Sequence, residues 1–392
     1  MPERPPHILP VIMVSQFAGV SIWFAGNAVL PDLQAGWGLP AETLGDITAA
    51  VQLGFIAGTL VFAVTAIADR ISPRRIFLAC ALLGALGNGV TVLLPPALWP
   101  LLALRFATGF CLAGIYPVGM KIAAGWYDKD LGRALGYLVG ALVGGTALPH
   151  LIRGLGQSLP WQEVTLAVSI LAAAGGLLMY WTVPDGPYLR PGAVFDPRAL
   201  LIVFRSGAFR ASAFGYFGHM WELYAFWAFV PVIIAAHGLA RAAALDVSLW
   251  TFAVIGIGML SCIAGGIIAR RWGSAQVAGV QLAASAICCL ISPVLFYAPT
   301  PVFLAFLVFW GLAVVGDSPQ FSALNAQAAP REWVGSALTI ANSIGFAISV
   351  VSIQLVNWAI EPLGASYVLL LLAPGPVLGL LALRPLLKRK QA

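Results

Sequence analysis

The chain has 392 residues, of which 60% are hydrophobic and only 9% charged, and its formal net charge is +6. Because soluble domains carry about 25% charged residues, this composition excludes an ordinary water-soluble domain and indicates lipid as the solvent of most side chains. We expect the positive charge to lie on the cytoplasmic side of the membrane and not to serve in binding nucleic acid. The five cysteines lie in apolar runs without CxxC or Cys/His spacing, so neither a disulfide framework nor a metal site is expected.

Twelve apolar runs are long enough to cross a bilayer as helices, which takes about 20 residues each. In chain order, as α1 to α12, they span 8–30, 44–67, 76–94, 98–121, 132–152, 163–183, 209–236, 248–269, 275–297, 301–325, 333–358 and 365–384. The longest polar segment, rich in proline and arginine, separates α6 from α7. The sequence therefore predicts an all-α membrane protein with an N-terminal six-helix half at 1–184, a cytoplasmic linker at 185–208 and a C-terminal six-helix half at 209–392.

The positions of lysine and arginine predict how the helices are oriented. With the N-terminus in the cytoplasm, all but four of the 21 Lys and Arg residues fall in the termini or in cytoplasmic connections. The exceptions are Arg153 and Arg241 on the other side, and Arg105 and Lys121 inside α4. Because cytoplasmic loops are enriched in Lys and Arg, we expect a multi-pass protein of a bacterial inner membrane with both termini in the cytoplasm.

The second half repeats the first at an offset that drifts from 200 to 203 residues. The matching features are Pro31, predicted to end α1, and Pro231 near the end of α7; Arg70 and Arg271; the Gly-x7-Pro pairs Gly109–Pro117 and Gly311–Pro319; and the Gly-x-Ala-Leu segments that begin at Gly132 and Gly335. An even number of helices per copy keeps the copies parallel. Membrane proteins built from such repeats bind ligands between the copies, near the middle of the bilayer.

Three motifs link the sequence to a known family. The α2–α3 connection reads Ala-Asp-Arg-Ile-Ser-Pro-Arg-Arg from Ala68, α4 contains Arg-Phe-Ala-Thr-Gly from Arg105, and α5 contains Gly-x3-Gly-Ala-x2-Gly-Gly from Gly136. These motifs resemble the loop signature, the arginine motif and the antiporter motif of the major facilitator superfamily. The loop lacks the usual glycines and the third motif has Ala141 in place of its proline. The resemblance covers essentially the whole chain and implies a bacterial secondary transporter of the twelve-helix type.

The resemblance also implies roles for particular charges. Asp69, Arg70, Arg74 and Arg75 would form a conformational latch at the cytoplasmic ends of the helices, and Arg105 would face a central cavity as a substrate-binding residue. Independently of the family, an arginine inside a membrane span is costly unless it faces water or a partner. The α5 glycines by themselves permit close helix packing, so that motif leaves open whether the protein is an exporter.

Three ionisable side chains inside the spans are predicted to couple protons. His219 and Glu222 are three residues apart and share one face of α7, and Asp317 precedes Pro319, which is predicted to break α10. Because desolvation disfavours the charged form of a carboxyl, such groups can take up a proton and release it during transport. The alternatives are a static His219–Glu222 pair and, for Asp317, a hydrogen bond to the broken backbone.

Further substrate-binding candidates are aromatic or uncharged polar side chains. Trp221 and Tyr224 lie beside the Glu222 face of α7 and could stack on a planar solute, with lipid or helix packing as the alternative. The polar candidates are Gln16, Asn27, Gln320 and Asn342.

Together these features predict a proton-coupled secondary transporter that moves a small organic solute by alternating access. Export of an amphipathic or aromatic compound is narrowly favoured by the α7 aromatic residues and the α5 motif. The alternative, favoured by Arg105 and Lys121, is uptake or exchange of a small organic anion such as a carboxylate. A membrane sensor or assembly factor that keeps the fold without transport is a remote alternative.

Several other functions are not expected. The sequence contains no phosphate-binding loop, so ATP-driven transport is disfavoured, and no nucleophile–base constellation, so an enzyme is not expected. No cofactor is predicted. The expected partners are a small-molecule substrate, protons and the lipid bilayer, with no nucleic acid, and the protein is expected to be a monomer.

Overall fold

The computed structural model describes residues 5–127, 131–156, 159–189 and 195–388. Part of the predicted linker, 190–194, lies outside these ranges. So do some of the charges used to predict the orientation, namely Arg4, Lys129, Arg190, Arg389 and Lys390.

Twelve of the helices in the described ranges are long and apolar enough to span a bilayer, which confirms the all-α membrane fold. They are Ile8–Trp37 (α1), Thr43–Thr65 (α2), Pro73–Leu93 (α3), Leu98–Trp126 (α4), Ala134–Leu155 (α5), Trp161–Thr182 (α6), Gly207–Arg241 (α7), Val247–Trp272 (α8), Ser274–Phe296 (α9), Thr300–Ala328 (α10), Arg331–Leu363 (α11) and Val368–Leu387 (α12). Two short helices, Ile67–Arg70 and Ala199–Val203, lie in the connections that follow α2 and α6.

Several helices are interrupted, and two of the breaks follow from proline. The break in α4 lies between Leu112 and Tyr116, and the break in α10 lies between Ala313 and Ser318. Each precedes a repeated proline, Pro117 or Pro319, which lacks the amide proton needed to continue the ladder of hydrogen bonds. The break expected at Pro319 is therefore confirmed.

The first helix departs from its prediction. It consists of Ile8–Val20 and Ala25–Trp37, so it is broken upstream of the expected end and then continues through Pro31. The prediction that Pro31 ends α1 is wrong, because a proline removes one backbone hydrogen bond and the remaining turns hold the helix. The helix ends instead at Gly38, whose left-handed backbone (φ 65°) suits a residue without a side chain.

The chain divides into two compact units, Met1–Phe195 and Asp196–Ala392. Within the first unit α1 packs on α5 and α6, α3 packs on α4 and α6, and α2 packs on α4. Within the second unit the equivalent pairs are formed, since α7 packs on α11 and α12, α9 on α10 and α12, and α8 on α10. The sequence repeat is thus a repeat of helix packing.

The repeated glycines of α4 and α10 make the same close contact in both units. A Cβ atom at Gly109 would collide with the backbone carbonyl of Val51 in α2. A Cβ atom at Gly311 would collide in the same way with the carbonyl of Val254 in α8. Because backbone atoms cannot rotate aside as a side chain can, only glycine permits this approach of the fourth helix of each unit to its second helix.

Candidate functional site

Glu222 lies in the interior of the C-terminal unit, where three side chains converge on one of its carboxyl oxygens. Glu222 Oε1 accepts hydrogen bonds from Ser285 Oγ at 2.5 Å, Trp310 Nε1 at 2.6 Å and Cys289 Sγ at 3.3 Å. Glu222 is only 1% exposed. Within the described ranges no Lys, Arg or His forms an ion pair with this carboxyl. These four residues are called the glutamate cluster below.

Helix geometry explains why the donors meet. Ser285 and Cys289 are four residues apart in α9 and therefore lie one above the other on the same face. Trp310 in α10 stacks on Phe226 of α7, with ring centroids 4.5 Å apart and an interplanar angle of 27°. Phe226 lies one turn beyond Glu222, so this stacking directs the indole N–H of Trp310 toward the carboxyl.

A second polar pair lies one turn earlier in α7. His219 Nδ1 is 2.9 Å from Asp317 Oδ1, and the two side chains are only 1% and 2% exposed. The atoms are not aligned as a hydrogen bond, and His219 Nε2 also lacks a partner among the residues described. Asp317 lies at the break in α10, so the pair joins the continuous helix α7 to the broken helix α10. His219 is therefore paired with Asp317 and not with Glu222.

Arg105 lies in the interior of the N-terminal unit and forms hydrogen bonds with one side chain and two backbone carbonyls. Its Nη1 atom donates to Asn88 Oδ1 at 2.8 Å, and its Nη2 atom donates to the carbonyl oxygens of Ile22 and Trp23, both at 2.8 Å. The two carbonyls belong to the break in α1, where the helix cannot satisfy them. The guanidinium therefore holds this break together. Arg105, Asn88 and the two carbonyls are called the arginine cluster below.

Asn88 extends the arginine cluster to α6. Its amide nitrogen donates to Ser169 Oγ at 2.9 Å and to the carbonyl of Thr165 at 3.2 Å. Four helices of the N-terminal unit, α1, α3, α4 and α6, are thus joined by one buried polar network. Both Nη atoms of Arg105 are occupied inside this network rather than available to a solute.

The predicted latch residues lie at the α2–α3 connection. Asp69 forms an ion pair with Lys121 of α4, a partner that the sequence did not identify. Arg74 donates to the carbonyl of Tyr180 at 3.4 Å, and its guanidinium carbon lies 5.3 Å from the centre of the Tyr180 ring. Arg70 and Arg75 are exposed.

The predicted polar candidates lie in separate places. Gln16 Nε2 donates to the carbonyl of Leu138 in α5 at 3.0 Å, and Asn27 Nδ2 donates to Thr48 Oγ1 in α2 at 2.7 Å. Gln320 is buried in α10, and Asn342 is half-buried in α11.

The two aromatic candidates of α7 pack on different helices. Trp221 Nε1 donates to the carbonyl of Leu371 at 3.0 Å, and a Cβ atom at Gly375 would meet the Trp221 side chain, so this indole lies against α12. Tyr224 is buried, with ring centroids 5.5 Å from Trp227 and 5.2 Å from Phe346.

The repeat offset is the signal that could have identified one of the partners missed by sequence reasoning. At an offset of 201 residues, Asn88 corresponds to Cys289, and at an offset of 200 residues Ile22 corresponds to Glu222. The arginine cluster and the glutamate cluster therefore share two equivalent positions, whereas Arg105 itself corresponds to Leu307 at an offset of 202 residues. Applying the offset to Asn88 identifies Cys289, but the offset does not identify Ser285 or Trp310, which correspond to Gly84 and Thr108.

Comparison with known proteins gives one family and one architecture. The sequence model described as Major Facilitator Superfamily matches residues 12–353. A protein of Bacillus subtilis (strain 168), NiaP, named as a candidate niacin/nicotinamide transporter, is 27% identical over 169 residues, which are 41% of this chain and 39% of that relative. The alignment thus spans well under half the length of the relative.

Solved structures share the fold over almost the whole chain. The proton:xylose symporter XylE, bound to 6-bromo-6-deoxy-D-glucose, aligns with a TM-score of 0.75 at 15% identity, over 97% of this chain and 95% of that one. The nucleoside transporter NupG (D323A mutant) aligns with a TM-score of 0.74 at 12% identity, over 97% and 100% of the two chains. The human organic anion transporter MFSD10 aligns with a TM-score of 0.69 at 16% identity, also over 97% and 100%.

Proposed function

We propose, from the premise that this chain belongs to the major facilitator superfamily of transporters, that it is a proton-coupled secondary transporter of a small organic solute. As a chain with twelve spanning helices in this family, it is a multi-pass integral membrane protein. In the proposal Glu222 carries the proton, and alternating access exposes it in turn to each side of the membrane.

The observation that carries the proposal is a carboxyl buried among neutral donors. Burial strongly disfavours an ionised carboxylate, and neutral donors on a single oxygen offset less of that cost than a neighbouring cation would. The glutamate cluster supplies three donors on Oε1 but no cation within the described chain, which leaves Oε2 to carry a proton. When α7 separates from α9 and α10 and water enters, the charged form becomes solvated and the proton can leave.

The His219–Asp317 pair supports a second proton-binding step beside the first. A histidine and an acid 2.9 Å apart attract each other when the histidine carries a proton, and this attraction is strong away from water. Because the pair joins α7 to the break in α10, a change in its protonation changes how firmly those two helices are held. We infer that this pair couples the proton taken up at Glu222 to movement of α10.

The engaged cations of the N-terminal unit favour a neutral solute over an anion. Arg105 is held by Asn88 and the carbonyls of the α1 break, and Lys121 is paired with Asp69. Both cations that were expected to bind an anionic solute are therefore already bound to groups of the protein. The NiaP relative is named for niacin or nicotinamide, a pyridine carboxylic acid and its neutral amide. Our proposal is therefore a small neutral aromatic solute such as nicotinamide, with niacin as the probe of the anion alternative.

Export in exchange for protons is the direction that we propose. The support is the resemblance of the α5 segment to the antiporter motif of the family. A Cβ atom at Gly145 would collide with the carbonyl of Phe17, so this segment packs closely on α1, a contact that is compatible with either direction. The distribution of Lys and Arg supports both termini in the cytoplasm of an inner membrane.

The test is flux in proteoliposomes under an imposed pH gradient, with labelled nicotinamide and labelled niacin in parallel. We expect gradient-driven flux of nicotinamide in the wild type and its loss in Glu222→Gln and Asp317→Asn. Solute counterflow, which needs no net proton movement, should survive in Glu222→Gln. The matched control is Asp246→Asn, since Asp246 caps the start of α8 and asparagine can also accept the hydrogen bond of Leu249 N–H.

Three results would change the proposal. If both acid variants keep full gradient-driven flux, proton coupling through these residues is wrong. If niacin moves and nicotinamide does not, the anion alternative replaces the neutral solute. If flux requires protons and solute to move in the same direction, the protein is an importer.

A further inference from the structure

The segment that leads into α7 combines exposed apolar side chains with positive charge. The short helix Ala199–Val203 buries its two end residues against α11 and leaves Leu200 and Leu201 45% and 71% exposed. Arg198, Arg205 and Arg210 lie on either side of these leucines along the chain. Exposed leucines beside arginines are typical of a segment that lies at a membrane surface.

Two grooves lie on either side of Phe214 in the first turns of α7. The first groove, of about 670 Å³, runs between the start of α7 and the end of α12. Its walls include Arg210, Ala211, Phe214, Ala382, Pro385 and Leu386. The second groove, of about 450 Å³, runs between the short helix and α7. Its walls include Leu200, Leu201, Phe204, Arg205, Phe214 and Phe217.

The second groove is mostly apolar and the first has both apolar and polar walls, and each contains one arginine without an acidic partner among the residues described. Arg210 Nη1 donates to the carbonyls of Phe204 at 2.8 Å and Arg205 at 3.1 Å, which fixes its guanidinium beside the short helix. In the described part of the chain neither Arg205 nor Arg210 forms an ion pair. Arg198 differs, because its guanidinium lies 2.6 Å from Asp196 Oδ2, and this hydrogen bond lowers the pKa of the Asp196 carboxyl.

We propose that the two grooves bind the acyl chains of one anionic phospholipid, with its phosphate held by Arg205 and Arg210. Arginine suits this role because its planar guanidinium matches the phosphate oxygens, and basic pockets at the ends of spanning helices bind anionic headgroups. A diacyl lipid has two chains to place, one on each side of Phe214. The bound lipid would hold the short helix and the end of α12 against α7. This site is independent of Glu222 and of the proposed transport reaction.

The test compares lipid binding and thermal stability in membranes of defined composition. Native mass spectrometry of the wild-type protein measures binding of phosphatidylglycerol against phosphatidylcholine. Thermal unfolding is then followed in vesicles of pure phosphatidylcholine and in vesicles that contain phosphatidylglycerol. We expect the wild type to bind phosphatidylglycerol preferentially and to melt at a higher temperature in its presence. Arg205→Gln and Arg210→Gln should each bind it about fivefold more weakly, because one interfacial arginine contributes about 1 kcal/mol.

The matched control is Arg198→Gln, which makes the same change in net charge on the same segment but removes an arginine already neutralised by Asp196. It should keep the phosphatidylglycerol effect. The proposal is overturned if the wild type shows no preference for phosphatidylglycerol, or if Arg205→Gln and Arg210→Gln keep it in full. It is also overturned if Arg198→Gln loses the preference equally, or if inorganic phosphate in phosphatidylcholine vesicles reproduces the stabilisation. Because the wild-type preference is measured first, a variant that fails to fold does not leave the question open.

Discussion

In the N-terminal unit the first helix is broken and an arginine fills the break, whereas in the C-terminal unit the equivalent helix is continuous and carries a glutamate. The arginine comes from the fourth helix of its unit and reaches the first helix, at Ile22 and Trp23. The glutamate comes from the first helix of its unit and reaches the third and fourth helices, at Cys289 and Trp310. The two clusters share equivalent positions but hold opposite charges, which come from different helices of the repeat.

The difference in charge implies a difference in role. An arginine is protonated at any physiological pH, so its cluster has one charge state and can serve as a fixed joint. A carboxyl can be charged or neutral, so its cluster can have two states that differ in how strongly the donors are held. Duplication followed by this divergence would produce one unit with a structural polar network and one with a proton site.

The largest expected effect on stability comes from replacing the fixed joint. Arg105→Lys keeps the charge but lacks the planar fork that reaches Asn88 and both carbonyls of the α1 break. With at least two hydrogen bonds to a charged group lost, the free energy of unfolding should fall by about 3–4 kcal/mol. Equilibrium unfolding of the detergent-solubilised protein by sodium dodecyl sulfate measures this change.

The unfolding measurement on Glu222→Gln tests the glutamate cluster in the same way. The glutamine Oε1 can still accept from Ser285 and Trp310, so we expect a change below about 1 kcal/mol in stability despite the loss of proton-driven flux. If Glu222→Gln destabilises as much as Arg105→Lys, the glutamate cluster is a structural joint as well and the contrast between the units is wrong.

Asn88 and Cys289 are equivalent residues on the third helix of each unit, and replacing each of them tests the comparison further. Asn88→Ala removes the acceptor of Arg105 Nη1 and two donor contacts to α6, which should lower the free energy of unfolding by about 2–3 kcal/mol. Cys289→Ala, at the equivalent place, removes one weak thiol contact of 3.3 Å and should change it by less than about 1 kcal/mol. If both variants lose the same free energy of unfolding, the third helix stabilises the two clusters equally and the predicted difference is wrong.

The sequence predicted the helices that carry the two clusters but not the contacts between side chains that form them. The twelve apolar runs predicted the spans and Pro319 predicted the break in α10, because both depend on local chemistry, whereas the equivalent break before Pro117 was not predicted. The break at 21–24 has no proline and no charge, and the arginine that stabilises it is 82 residues from Trp23. Likewise, the spacing of His219 and Glu222 places them on one face of α7 but cannot say that Asp317 approaches one and Trp310 the other. Such partners depend on which helices meet.

What the two units share can be tested at their repeated glycines. Gly109→Ala and Gly311→Ala each place a methyl group against a backbone carbonyl of the neighbouring helix, and each should cost about 1–3 kcal/mol of stability. Gly335→Ala is the control, because a Cβ atom there meets no atom within 4 Å and alanine favours a helix. Unfolding measurements should give similar losses for the first two variants and no loss for the third. A loss at only one of the two repeated glycines would contradict the equivalent packing.

The smallest expected effect concerns the Asp69–Lys121 pair, which has no counterpart at the equivalent end of α8, because the last turn of that helix contains Arg270 and Arg271 but no acid. Both side chains are about one-fifth exposed, so screening should limit the pair. A double-mutant cycle with Asp69→Asn and Lys121→Gln should give a coupling energy below about 1 kcal/mol that decreases as salt is added. An interaction of that size shifts a two-state equilibrium by about fivefold at most, so counterflow rates should change within that range. A salt-independent coupling above about 2 kcal/mol would instead make this pair a structural joint like the arginine cluster, and a latch that opens and closes during transport would be excluded for it.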